Sequence, residues 1–345
     1  MITRTEKEYR AVQMDSSSSL KEFSLDRKKY HKKYILGEAV EDDENKAATM
    51  GRVVETLLLE PELFESRFHM STCESAPTGL MNDFVEALYK RTLEATDVFG
   101  KVARTFEDIS KDAYVDSGFK IKYEAVMNKF AGSEAEAYYD EIRIVRAKGL
   151  TVVTANDMNN AERIVAELRN NFVTRDIVNL VKSARYDVYN QYQVEGFDVL
   201  GIQCKGMMDK IVVDHEAKTL QIYDLKCTWS VENFYEEYYL YRRAYIQAYV
   251  YWLAGLQILE DLGIPEYKLE HPRFIVCDST NYMNPLIYTL DLEDLQDAAN
   301  GFSHKGRNYP GVKQIISDLQ WAKDTDTWNI SRVRHQLGGV VNIRQ

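Results

Sequence analysis

Gly206-Met-Met-Asp209-Lys-Ile-Val-Val213, then Asp214-His-Glu-Ala-Lys218, then Thr219-Leu-Gln-Ile-Tyr-Asp224-Leu-Lys226 is the stretch on which the reading of this chain turns. Two runs rich in β-branched and apolar residues flank a polar five-residue segment, the pattern of a hairpin with strands at 207–213 and 219–226. Alternate residues of a strand share a face, so Asp209 goes with Met207, Ile211 and Val213, while Asp224 and Lys226 go with Leu220 and Ile222. An ionised carboxylate among apolar neighbours is unfavourable unless a cation or hydrogen-bond donors compensate it, so both aspartates call for an explanation.

Working outward, the alternation predicts further strands at 184–194, 199–204 and 273–277, the last with a partner at 286–290. A long helix is expected over 231–262 and a helical tail over 292–322. Towards the N-terminus, a serine just ahead of Leu20 reads as a helix N-cap. Apolar residues at Ala47, Met50, Val54, Leu57 and Leu58 mark a helix over 45–60 that Pro61 ends, with Glu55 beside the stripe. An acidic loop, Glu41-Asp-Asp-Glu44, precedes it. Residues 77–170 read as mainly helical, punctuated by Gly100, Gly118, Gly132 and Gly149. Strands enclosed by helices predict an α/β (α+β) core.

A chain of 345 residues, 45% of them hydrophobic, has ample material for a packed core. No apolar run is long enough to span a membrane, and the polar start carries no signal-peptide core, so no membrane is expected and the location is read as cytoplasmic. The four cysteines, Cys73, Cys204, Cys227 and Cys277, lack the spacing of a zinc or iron–sulfur site and read as reduced thiols. The six histidines form no H-x-x-x-H pair, which argues against a zinc hydrolase, and no Walker A sequence marks a P-loop motor. With a net charge of -11, any nucleic-acid contact has to be local. Lys28 and Lys29, in the basic stretch from Arg27 to Lys33, are candidates for such a contact; a solvated helix face fits them as well.

If the two central strands pair, Asp209 and Asp224 converge as hard oxygen ligands for a small divalent cation such as Mg²⁺. Lys226 is then placed to orient a nucleophilic water and to offset charge developing on a phosphodiester. An isolated D-x-K is common by chance. The combination here is more specific: G-x-x-D, a short hairpin, D-L-K, and then a helix bearing Q-x-x-x-Y. On that helix Arg243, Gln247 and Tyr251 stand at i, i+4 and i+8, in one row, where the glutamine amide can hold the aspartate strand and Arg243 can bind phosphate.

Gly206-Met-Met-Asp209, Tyr223-Asp-Leu-Lys226 and Gln247-Ala-Tyr-Val-Tyr251 together resemble the RecB-type nuclease module of the PD-(D/E)xK superfamily, in particular the phage RecE-like exonucleases. The stretches Ser17–Lys21, Gly51–Pro61 and Trp321–Trp328 are similar to other segments of those proteins, so the likeness spans most of the chain except about 77–150. It implies a restriction-endonuclease-like core, a central mixed β-sheet flanked by helices, with a helical insertion. The corresponding parts are 1–76, an N-terminal helical part; 77–170, the insertion; and 171–345, the catalytic core.

The resemblance also implies that Asp209, Asp224 and the Leu225 backbone carbonyl bind Mg²⁺ or Mn²⁺, that Lys226 is catalytic, and that Gln247 and Tyr251 complete the site. Glu55 stands where many of these proteins carry histidine, although lambda-type exonucleases use a glutamate there, so it is expected to be a further metal ligand. The implied substrate is the end of duplex DNA, degraded 5′→3′, by an enzyme that forms a homo-oligomeric ring and works beside a single-strand annealing protein. Two alternatives stay open. One is a single-strand-trimming or endonucleolytic nuclease of repair or CRISPR type, against which the cysteine positions argue. The other is a catalytically inactive DNA-binding module.

Overall fold

The computed structural model describes residues 4–38, 46–97, 100–280 and 283–342; the acidic run Glu41–Glu44 lies outside the described residues. The chain divides into two compact units, Arg52–Val165 and the remainder, Met1–Gly51 with Ala166–Gln345.

The Arg52–Val165 unit is built mainly from helices Leu80–Glu94, Phe106–Ser117, Tyr123–Phe130 and Glu134–Ala147. Phe84 and Leu88, one turn apart, meet Ile109, Val126, Phe130 and Ile142 in a closed apolar core. Local signals set the boundaries: Thr105 and Ser133 cap helix N-termini, and Gly118 ends a helix with a φ of 71°. A short parallel ladder joins β1, Phe68–Met70, to β2, Thr151–Val153. The helical reading of 77–170 holds apart from that one strand.

The other unit carries a six-stranded mixed sheet: β3 (Tyr186–Val199), β4 (Ile202–Asp214), β5 (Thr219–Thr228), β6 (Lys268–Leu269), β7 (Arg273–Asp278) and β8 (Leu286–Thr289). The order is β3-β4-β5-β7-β8, with β6 pairing β5. β3, β4 and β5 form an antiparallel meander, β5 and β7 are parallel, and β8 closes the edge antiparallel to β7. Parallel neighbours need a crossover, and the helix Ala244–Asp261 lies between β5 and β7 in sequence to supply it. This helix is apolar on nearly every side because it is buried on nearly every side, among the sheet, the helix Ser17–Leu25 and the helix Leu292–Asn300. The expected α/β class, a mixed sheet among helices, is what the chain adopts.

Four local expectations are corrected. Strands at 199–204 and 207–213 are one continuous strand, β4. The turn falls earlier, at Leu200-Gly201, whose φ values of 54° and 90° match a two-residue hairpin loop. Leu200 hid the turn, and Gly206, which looks like a breaker, lies within the strand, where a Cβ would sit 2.8 Å from the end of the Met208 side chain.

Nor does the alternation in β4 run unbroken. Cys204 and Met208 face the core, and so do Ile211 and Val213, so the parity switches between Met208 and Ile211. Gln191, facing this switch from β3, has a φ of 49°. Asp209 sits at the switch, half-buried, rather than within a uniform apolar face.

The helix expected over 231–262 is two pieces. A π-helical turn, Tyr235–Tyr241, ends before Arg243, whose backbone is left-handed (φ 56°, ψ 41°), and the α-helix restarts at Ala244. Arg243 donates from Nη1 to the Ser24 carbonyl at 2.6 Å, a tertiary contact made at a break that no glycine or proline announces. In the tail, β9 (Gly301–His304) and β10 (Arg307–Pro310) form a hairpin between helices Leu292–Asn300 and Val312–Thr325. A Cβ on Gly311 would lie 2.2 Å from the Gly301 nitrogen, so the ends of this hairpin close only on glycine.

Candidate active site

Asp224 lies on β5, between β4 and β7, and is 2% exposed. Its neighbours provide the compensation that a buried carboxylate needs. Oδ1 accepts a hydrogen bond from Gln247 Nε2 at 2.6 Å. Oδ2 meets the Lys226 ammonium as an ion pair but, among the described residues, accepts no directed hydrogen bond. Lys226 shares the face of Asp224 by strand parity, and its side chain is 22% exposed, so the ammonium reaches the edge of the buried region.

Asp209 arrives from β4. The β4–β5 ladder ends at Lys210 opposite Tyr223, and one residue further on Asp209 Oδ2 accepts the Leu225 backbone N–H at 2.6 Å. Where the ladder ends, the carboxylate bonds the backbone beside Asp224, and this charge-assisted bond fixes it there. The hairpin therefore brings the two predicted carboxylates to the end of the β4–β5 ladder. Lys210, between Asp209 and Ile211, is buried and donates to the Leu180 carbonyl and to Asn190; burial lowers its ammonium to about 8.

Gln247 and Tyr251 stand one turn apart on the helix Ala244–Asp261. Gln247 Nε2 donates to Tyr251 Oη at 2.8 Å, and Tyr251 Oη donates to the Met207 carbonyl at 2.9 Å. Burial and then the Asp224 and Asp209 carboxylates hold the Tyr251 phenol well above its ordinary range, so it remains a protonated donor. The predicted row of three loses its first member: Arg243 precedes the helix in a left-handed conformation and does not continue the Gln247–Tyr251 face.

Lys21 belongs to the same network and was not singled out by the sequence. From the helix Ser17–Leu25 its Nζ donates to Gln247 Oε1 at 3.2 Å. Burial first, and the Lys226 ammonium second, lower it to about 8, partly opposed by Asp224. The signal available was helical spacing, since Lys21 follows the buried Ser17 by one turn, but a lysine beside the core residue Leu20 reads as an ordinary helix flank.

The remaining candidates lie elsewhere in the chain. Glu55 is half-buried on the helix Lys46–Leu59, within the Arg52–Val165 unit. Lys28 is exposed and Lys29 pairs with Glu22 at 3.3 Å, both on the short helix that Asp26 caps. All four cysteines are free thiols, with Cys227 and Cys277 in register on β5 and β7 directly after Lys226.

Among the described residues no three His, Cys, Asp or Glu side chains come together as a metal cluster. Asp209 and Asp224 nonetheless suit a hard divalent cation: they are oxygen donors, and Asp224 Oδ2 is a buried oxygen lacking a directed bond. An ion of the Mg²⁺ type is held by one or two carboxylates and keeps several waters.

No family model matches the chain, and no curated protein matches it. Among solved structures it is similar to a "Putative exonuclease" from Eubacterium rectale at 14% identity, over 96% of this chain and 89% of that one, with a TM-score of 0.48. A likeness of that degree assigns no chemistry to this chain.

Proposed function

We propose that this chain is a divalent-metal-dependent nuclease that hydrolyses DNA phosphodiester bonds. The observation that carries the reading is the pair of carboxylates at the end of the β4–β5 hairpin: Asp224 Oδ2, buried and without a directed hydrogen bond, beside the Lys226 ammonium, and Asp209 pinned to the Leu225 N–H. Asp209, Asp224 and the Leu225 carbonyl would hold Mg²⁺ or Mn²⁺, and the ion would supply Lewis-acid stabilisation of phosphoryl oxygens.

The chain's own residues do the rest. The Lys226 ammonium reaches the edge of the buried region, where it offsets negative charge developing on a phosphodiester and orients an incoming water. Gln247 holds Asp224 Oδ1 and so fixes the carboxylate that would hold the ion, and Tyr251 ties that amide to the backbone of β4. No covalent intermediate on the protein is required.

Exonucleolytic action on duplex ends, 5′→3′ polarity, ring assembly and an annealing partner belong to this proposal through the RecE-like resemblance, as does DNA backbone contact by Arg243, Lys28 and Lys29. The test is incubation of linear duplex, nicked circle, closed circle and single strand with Mg²⁺, Mn²⁺ or chelator. Loss of linear duplex alone, abolished by chelator, is the expected result. Cutting of closed circles would make the enzyme an endonuclease, and DNA binding without cleavage in any metal would overturn the catalytic reading.

A further inference from the structure

We propose that Lys21 is a positioning residue of this site, acting through Gln247 to fix Asp224; the proposal rests on the nuclease reading. An amide side chain has one acceptor oxygen and one donor nitrogen, and the partners decide which end is which. Gln247 meets Asp224 Oδ1 at 2.6 Å and Lys21 Nζ at 3.2 Å. A carboxylate accepts only and an ammonium donates only, so Lys21 selects the rotation that turns Nε2 towards Asp224. Tyr251, which gives its proton to the Met207 carbonyl, takes the second amide hydrogen and closes the chain.

The result is an ordered relay from the helix Ser17–Leu25 to the central strand: Lys21 to Gln247, Gln247 to Asp224 and to Tyr251, Tyr251 to β4. The two oxygens of Asp224 face different ammoniums, Oδ2 directly to Lys226 and Oδ1 through the amide to Lys21. Two carboxylates and two ammoniums then balance in charge. Lys226, with a side chain 22% exposed, is the more exposed of the contacts to Asp224, and Lys21 is held on Gln247.

Positioning through Gln247 makes a specific demand on a double-mutant cycle, because residues acting along one chain are not additive. Single-turnover cleavage and Mn²⁺ affinity by calorimetry are measured for the full-length wild type, Lys21→Met, Gln247→Ala and the double variant. Lys21→Met is expected to slow cleavage and weaken Mn²⁺ binding roughly tenfold, with little change in DNA affinity; in the Gln247→Ala background it should change neither. Lys21→Arg, which can still donate to Oε1, should recover most of the loss and serves as the control for folding. Additive losses, or a loss confined to DNA affinity, would overturn the positioning role while leaving the nuclease reading intact. A wild type that neither cuts nor binds Mn²⁺ would overturn both.

Discussion

Asp224 and Lys226 form an ion pair in which one partner is sealed in the sheet and the other reaches water. That asymmetry shapes what each substitution does. Replacing Lys226 with alanine leaves a buried carboxylate bonded to Gln247 alone and costs stability, whereas replacing Asp224 leaves an ammonium that can turn to solvent, so activity is compared in variants that remain folded. Both should remove the chemistry. We expect Asp224→Ala and Lys226→Ala each to reduce cleavage by at least ~10²–10³-fold, the scale seen when one electrostatic contributor is removed from a site, with circular dichroism unchanged. Full activity in either folded variant would remove these residues from the mechanism. At this scale the sequence was informative about residue types and poor about partners. Asp209, Asp224, Lys226, Gln247 and Tyr251 stand out by their spacing, whereas Lys21 joins them only through the packing of two helices distant in sequence.

Among the elements, the hairpin β4–β5 and the helix Ala244–Asp261 do the positioning, and each has a feature that can be tested. In the turn between β4 and β5, the Arg185 guanidinium and then the Ala217 and Glu216 N–H groups pull the Asp214 carboxyl from 3.8 to about 2. A depressed carboxyl contributes stability that is present above its unfolded value and lost as pH falls through the folded one. The thermal midpoint should therefore fall more steeply between about pH 4 and pH 2 for the wild type than for Asp214→Asn; equal slopes would show that the turn does not contribute. On the helix, a Cβ at Gly255 would come within 2.7 Å of Leu269 and 3.1 Å of Ile222, so the close approach of helix to sheet depends on glycine. Gly255→Ala should destabilise by about 1–3 kcal/mol in urea unfolding despite alanine's better helix propensity; a stabilised variant would contradict this packing. Strand and helix types were legible from periodicity. The breaks at Gln191 and Arg243 were not, because both take positive φ where no glycine marks it.

For the whole molecule, the mixed sheet and the helical character of 77–170 follow from patterns that short windows of sequence contain. Strand order does not: β7 lies parallel to β5 only because a buried helix crosses between them, and the tail hairpin depends on the contact between Gly301 and Gly311. A molecule with a net charge of -11 can approach a polyanion only where its own cations gather, so salt should weaken DNA binding through few contacts. The central claim is that Asp209 and Asp224 share one divalent ion within reach of Lys226. Anomalous diffraction from crystals grown with Mn²⁺ measures this directly. The account predicts a peak within about 2.5 Å of an oxygen of each aspartate, absent in Asp224→Ala. A fully occupied peak elsewhere, or carboxylates that bind no ion at saturating Mn²⁺, would contradict it.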